Sequence, residues 1–349
     1  MEFGIFQEFP TRQGMTEAEC FAESFELTDA AEQWGIDATW LAELHFAPKR
    51  SVLAAPLTIA SAIAARTKRV KIGTAVQVLP LANPLRLAEE AATVDQISCG
   101  RLIFGVGRSG SARSYDAYGI PYAESRDRFR EALDVIVKAW TEPAFSYHGT
   151  YYNYDNVSLF PRPHQKPHPE IRVASSSPDS FPAIGRRGYP IFVAVRLGNL
   201  SELGPNIRAY REAWQAAGHP GRGRVFLRVP VYVADTAEQA ISDPERSIIE
   251  FFHSLGAVFE QSAAHAGARP IEQRAERGER LKRVTYEEVL REKTIIGTPE
   301  MVVERLGGLR EELGLDGILA ELNCGGLIPQ ERVLRSLRLL CDEVMPHFK

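Results

Sequence analysis

Trp40-Leu41-Ala42-Glu43-Leu44-His45-Phe46 is the stretch that decides how this chain is read. A short apolar strand at 38–41 runs into a carboxylate and an imidazole two residues apart. On an extended backbone, side chains two apart project to the same side. Glu43 and His45 therefore share one face of the strand end. Residues 30–37, just upstream, read as the end of a helix closed by Gly35. The pair thus stands where a β-to-α loop begins, which is the catalytic rim of a β/α barrel. A structural hydrogen bond at a strand end is the other reading of the same two residues.

The flanking sequence repeats the alternation. Short apolar runs read as strands at 1–6, 70–74, 101–106, 171–174, 191–195, 225–233 and 314–322. Between them lie segments that read as helices, at 16–34, 54–65, 84–97, 125–140, 178–188, 202–217, 236–259 and 329–344. Thr16 with Glu19 makes a capping box, and Pro84 opens its helix. The strands are apolar on both faces, as buried parallel strands are. Eight such βα units close most naturally into a (β/α)8 TIM-like barrel, an α/β fold with its site at the C-terminal strand ends. An open doubly wound sheet is the alternative architecture. The chain reads as one domain, 1–349, with insertions after strands four and seven at about 141–170 and 261–290. The first insertion holds an aromatic hairpin turning at His148-Gly149, then four prolines within 161–169. The second centres on 261–283, is polar and rich in Ala and Arg, and has no clear period. It is expected to be a mobile segment that closes over the barrel mouth.

Composition narrows the function classes. A length of 349 residues suits one barrel with insertions. Hydrophobic residues at 44% and charged residues at 25% are ordinary for a soluble globular protein. The net charge of −4 leaves no basic footprint for nucleic acid, and no Lys/Arg-rich amphipathic helix suggests a membrane surface. The N-terminus does not read as a signal peptide, and no run approaches the ~18 apolar residues of a bilayer span. Cys20, Cys99, Cys324 and Cys341 are scattered without a CxxC pair, so neither a metal site nor a disulfide framework is expected. The expected location is the reducing cytoplasm.

Several short motifs carry chemistry. Gly105-Val106-Gly107-Arg108-Ser109-Gly110 matches GxGxxG after a strand. It lies in the fourth βα unit and leads into a Tyr-rich loop rather than directly into a helix, so a Rossmann dinucleotide site is set aside. A Gly-rich strand end still lets a flat or anionic ligand approach the backbone, and Arg108 can reach a phosphate. Ser175-Ser176-Ser177-Pro178 ends strand five and opens a helix, as an anion site or as a plain cap. Arg126, in the first turn of the helix after strand four, reads as a phosphate ligand or as a surface residue. Together Arg108, Arg126, Ser175, Ser176 and Ser177 suffice to enclose one phosphate. No GxSxG elbow, HExxH pair or P-loop lysine is present. His164 and His168 fall in the proline-rich segment and read as solvated loop residues.

Further motifs recur in a fixed order: a Met-x-Phe-Gly start, the 40–46 stretch, and Ala65-Arg66-Thr67-Lys68 leading into Ile72-Gly73-Thr74-Ala75. Leu79-Pro80 with Asn83-Pro84 follows, then Asp95-Gln96-Ile97-Ser98 with Gly100-Arg101, Glu124-Ser125-Arg126, Gly297-Thr298-Pro299-Glu300 and Glu343-Val344-Met345-Pro346. In this order the chain resembles the bacterial luciferase-like, flavin-dependent monooxygenases over roughly 1–348. The resemblance implies a barrel that binds flavin mononucleotide (FMN) at its C-terminal rim, with the phosphate on Arg108, Arg126, Ser175, Ser176 and Ser177. It implies a non-proline cis peptide at Ala75-Val76 beneath the isoalloxazine. A separate flavin reductase would supply reduced FMN transiently, and O2 would add at C4a as a hydroperoxide that oxygenates a small organic substrate.

The family's active-site histidine belongs to a Glu-His-His version of the strand-two motif. Here Leu44 replaces the first histidine and only His45 remains. That departure argues against light emission and long-chain aldehyde chemistry. Glu43 and His45 are the candidate catalytic pair: His45 takes over proton handling, or the chemistry needs no base there. Val193-Ala194-Val195 is expected to leave a roomy pocket at strand six. Two rival readings share the barrel: a deazaflavin (F420)-dependent oxidoreductase that consumes no O2, and a noncatalytic flavin-binding partner subunit, which Leu44 would suit. The resemblance also implies a homodimer, for which the Ala-rich helices at 54–65 and 88–94 offer close-packing faces.

Overall fold

Eight parallel strands close on themselves in a computed structural model that describes residues 1–195, 198–263 and 271–349. They are β1 (Glu2–Gln7), β2 (Ala38–Leu41), β3 (Lys71–Thr74), β4 (Leu102–Gly107), β5 (Glu170–Ala174), β6 (Ile191–Ala194), β7 (Val225–Val233) and β8 (Gly317–Glu321). Neighbours in sequence are neighbours in space, and Glu2 opposite Gly317 closes the ring. The helix paired with each strand follows it in order: α1 (Glu17–Trp34), α2 (Pro56–Arg66), α3 (Pro84–Ile97), α4 (Ser125–Thr141), α5 (Ser180–Arg187), α6 (Leu203–Ala216), α7 (Pro299–Leu313) and α8 (Gln330–Leu339). This is the (β/α)8 barrel read from the sequence, with an open sheet excluded by the closure.

Local chemistry explains the elements. The Thr16 hydroxyl accepts from the Glu19 amide at 3.3 Å while the Thr16 amide donates to the Glu19 carboxylate at 2.7 Å, so the capping box at α1 is complete. Gly35 ends that helix in the left-handed conformation, φ 93°. Inside the barrel, Trp40 is wholly buried. A Cβ on Gly4 would lie 2.3 Å from its indole nitrogen, and one on Gly73 would lie 2.1 Å from its ring. The two glycines therefore make room for the indole. Arg172 fills the space beside it with no exposure, its guanidinium 3.5 Å from the Phe226 ring centroid and 4.9 Å from that of Trp40. Glu2 accepts from Arg172 at 2.7 and 3.0 Å, and Glu170 at 2.7 Å.

The insertions differ in part from expectation. The hairpin forms from strands Phe145–His148 and Asn153–Val157, and the Gly149 amide donates to the Tyr152 carbonyl at 3.0 Å across the turn. The segment expected to be irregular at 261–283 is largely helical: a helix Glu245–Ala263 is answered by a second, Ile271–Lys282, with 264–270 outside the described residues. The two pack through glycine. A Cβ on Gly256 would lie 2.6 Å from the Gly278 carbonyl oxygen. Beside that close backbone contact, Leu281 of the second helix joins Ile248, Phe251, Phe252, Leu255 and Phe259 of the first in one buried cluster. Lys282 adds ion pairs to Glu260 at 2.8 Å and Glu279 at 2.9 Å. The Tyr-rich loop after β4 begins with a short helix, Ala112–Ala117. Of the alanines in the two helices that suggested a partner face, Ala60, Ala64, Ala88, Ala91 and Ala92 are buried within the chain, Ala62 is half-buried, and Ala54, Ala55 and Ala65 are exposed. Among the described residues, no helix is long and apolar enough to cross a membrane.

Candidate active site

The C-terminal ends of β1, β2 and β8 open into a cavity of about 670 Å³. Its walls include Glu8, Glu43, His45 and Glu321, and the helix Glu245–Ala263 covers it with Phe251 and Leu255. Residues 109–114, directly after β4, form one side.

Glu43 and His45 share a side of the strand end, as their spacing requires: His45 Nε2 lies 2.8 Å from Glu43 Oε1. Glu43 Oε2 accepts the Val78 amide at 2.8 Å and the Gln77 side-chain amide at 2.5 Å. Since a carboxylate only accepts, the Gln77 nitrogen must face it, and the Gln77 carbonyl oxygen points elsewhere. That oxygen is buried and has no donor among the described residues. Tyr118 Oη lies 3.3 Å from His45 Nδ1, and the two rings meet edge-on at 5.3 Å between centroids. Gln77 and Tyr118 stand far from Glu43 in sequence and carried no signal there.

A second polar cluster borders the cavity through Glu8, Arg50 and Glu321. Arg50 donates to Glu8 at 2.5 and 2.7 Å, Arg228 to Glu8 at 3.0 Å, and Arg228 to Glu321 at 2.8 and 3.0 Å. Burial pushes the Glu321 carboxyl above the usual carboxylate range, against the pull of Arg228 and with the push of Glu8. Burial opposes the charge on Arg50 as well, but Glu8 and Glu321 outweigh it and raise the guanidinium. These four were missed in the sequence. The available signal was a charge inside an apolar strand, Arg228 in β7 and Glu321 in β8, which demands a partner when buried.

The residues expected to hold a phosphate occupy the adjoining arc of the rim, outside the walls of the cavity. Arg108 Nη1 donates to Ser125 Oγ at 2.9 Å, which ties it to the first residue of α4, next to Arg126. Arg126 is exposed. Val106 pairs with Val173, so two steps further along both strands Arg108 and Ser175 stand at the same level. Ser175 Oγ lies 2.7 Å from Ser180 Oγ, Ser177 N donates to Ser180 Oγ at 3.3 Å, and Ser176 is exposed. The Ala75-Val76 peptide is cis. A Cβ on Gly105 would lie 1.7 Å from the Thr74 carbonyl oxygen, and one on Gly107 would lie 2.6 Å from Val76 Cγ2. The glycines of the GxGxxG stretch thus let β4 approach the end of β3.

Among the described residues, the roomy pocket expected at strand six does not form: Val193 and Val195 are buried, and Ala194 and Val195 border a void of about 10 Å³. Phe251 and Phe252 of the covering helix fill that space.

This barrel with a polar C-terminal rim has close counterparts. Residues 1–317 match the model of the luciferase-like monooxygenases. The chain belongs to that family. It is 28% identical over 369 residues to the flavin-dependent trigonelline monooxygenase, oxygenase component, of Acinetobacter baylyi, covering 100% of this chain and 96% of the relative. It is 34% identical over 195 residues to the F420-dependent glucose-6-phosphate dehydrogenase of Kineococcus radiotolerans, covering 54% and 57%. The crystal structure of monooxygenase RslO1 from Streptomyces bottropensis superposes with a TM-score of 0.80 at 27% identity, covering 100% of both chains. Relatives in the family are thus flavin-dependent monooxygenases and F420-dependent oxidoreductases.

Proposed function

We propose that this oxidoreductase is the oxygenating component of a two-component system, acting with reduced FMN and O2 on a small organic substrate. The observation that carries the reading is the seating of the Glu43–His45 pair. Glu43 is held by Gln77 and Val78, immediately after Ala75-Val76, and the pair faces the cavity. The full-length likeness to a flavin-dependent oxygenase component supports the flavin and a separate, transient reductase. The chain fits such a group. The buried Gln77 carbonyl oxygen offers an acceptor beside Ala75-Val76, and Arg108 with the Ser175 level of the rim offers donors for a phosphate. The family resemblance alone supports a cytoplasmic homodimer.

When bound, reduced flavin supplies the electrons that activate O2. The chain's own residues do the rest. Arg108 and Arg126, with Ser175, Ser176 and Ser177, would hold the flavin phosphate. Phe251 and Leu255 keep water from the cavity. Glu43 orients His45, and His45 accepts a proton at Nδ1.

The half-length relative at 34% identity favours F420 as the second reading. An oxygen electrode separates the two. With chemically reduced FMN and a panel of small substrates, one substrate is expected to give oxygen uptake matched by an oxygenated product. Product formed with F420 and no oxygen uptake would replace the proposal with the second reading.

A further inference from the structure

We infer that Tyr118 is the proton relay of the Glu43–His45 pair, which deepens the reading above and rests on it. Glu43 receives three donors: the Gln77 side-chain amide, the Val78 amide and His45 Nε2. Because the carboxylate only accepts, His45 carries its proton on Nε2 and presents the lone pair of Nδ1. That lone pair faces Tyr118 Oη at 3.3 Å. Phe46 closes the third side, 5.9 Å from the imidazole centroid and 5.6 Å from the phenol ring.

Both ring nitrogens of His45 are therefore engaged, and a substrate atom finds neither of them free. The imidazole side chain is 11% exposed, whereas Tyr118 is 46% exposed. The accessible polar end of the chain of hydrogen bonds is the phenol. Tyr118 caps the short helix Ala112–Ala117, and residues of that helix border the same cavity as His45 and Phe46.

The transfer balances without any further reactant. A donor that reaches the exposed Tyr118 Oη gives it a proton as the hydroxyl proton passes to His45 Nδ1. The phenol ends neutral, the imidazole becomes a cation, and the Glu43 carboxylate balances that charge. Other charged groups on the surrounding elements are Lys49 and Arg50 after β2, with Arg50 turned to Glu8, and Arg113 and Asp116 on the short helix.

Tyr118→Phe keeps the ring against His45 and Phe46 and removes only the hydroxyl. Its kcat for substrate-coupled oxygen uptake is expected to fall by about 10²-fold, the lower end for general acid–base catalysis. KM should stay within about twofold, since ground-state binding is untouched. Combined with His45→Gln, Tyr118→Phe should be no slower than His45→Gln alone, because the two act in one chain. In ¹⁵N NMR of the histidine-labelled protein, the Nδ1 resonance of His45 should move in Tyr118→Phe while Nε2 stays protonated. A Tyr118→Phe enzyme with wild-type kcat, or one whose Nδ1 resonance does not move, would overturn the relay. The NMR comparison needs no turnover. A wild-type protein inactive with reduced FMN would therefore count against the flavin reading, while the resonance still decides on the relay.

Discussion

His45→Gln lowers substrate-coupled oxygen uptake by about 10²–10⁴-fold, the span over which one positioned acid–base group contributes. Glutamine keeps a side-chain amide to meet Glu43 but has no group that takes up a proton near neutral pH. KM is expected to change little, since the variant loses an interaction made only in the transition state. Glu43→Gln tests the other half of the pair. A neutral amide cannot accept the three donors that converge on Glu43 from Gln77, Val78 and His45. The imidazole then loses its orientation and the charge that would balance it. Since Glu43 acts through His45, the double variant should be no slower than His45→Gln alone. Oxygen uptake and product formation check all three variants. A His45→Gln enzyme that retains full coupled turnover would remove His45 from the chemistry.

Arg172→Met destabilises the barrel by about 3–5 kcal/mol, as expected when one member of a buried ion pair is removed. Arg172 has no exposure and is held by Glu2 and Glu170 on one side and by Phe226 and Trp40 on the other. Without it, among the described residues Glu2 keeps Lys71 at 3.6 Å and Glu170 keeps Arg224 at 2.6 Å. The surviving partners place the loss toward the lower end of the range. Methionine fills part of the volume, so the effect reports the charges more than a cavity. Arg86, by contrast, meets Glu90 at 2.9 Å on the open surface of α3, and Arg86→Met should cost no more than about 1 kcal/mol. Urea unfolding of both variants measures the difference. A loss of less than about 1 kcal/mol for Arg172→Met would mean that the barrel interior does not depend on this arginine.

How far the sequence led depended on the kind of contact. The eight strands are apolar runs bounded by polar residues, and β7 spans Val225–Val233, the range expected from the sequence. The helix α3 likewise spans Pro84–Ile97, because Asn83 caps it by accepting from the Leu85 and Arg86 amides. The helix α7, Pro299–Leu313, escaped notice despite buried Val302, Leu306, Leu309 and Leu313, because Gly307-Gly308 breaks the pattern. The helix Ile271–Lys282 packs through Gly278 and has no apolar stripe to read. At the site, Glu43 and His45 were legible because their contact spans two residues. Gln77 and Tyr118 were not, because their contacts to the pair span 34 and 73 residues and arise only when the strands close. The arginine and serine motifs located the rim, but their side-chain partners, Ser125 and Ser180, follow from packing alone.

The claim on which the whole account depends is that the rim around Arg108 holds the phosphate of a flavin. Isothermal titration of the protein with FMN and with riboflavin tests it most directly, because the two ligands differ only by that phosphate. A charged hydrogen bond contributes roughly 1.5–3 kcal/mol, so FMN should bind at least about tenfold more tightly than riboflavin. Arg108→Met should erase most of that preference while leaving riboflavin affinity unchanged. Equal binding of FMN and riboflavin by the unaltered protein would contradict the account.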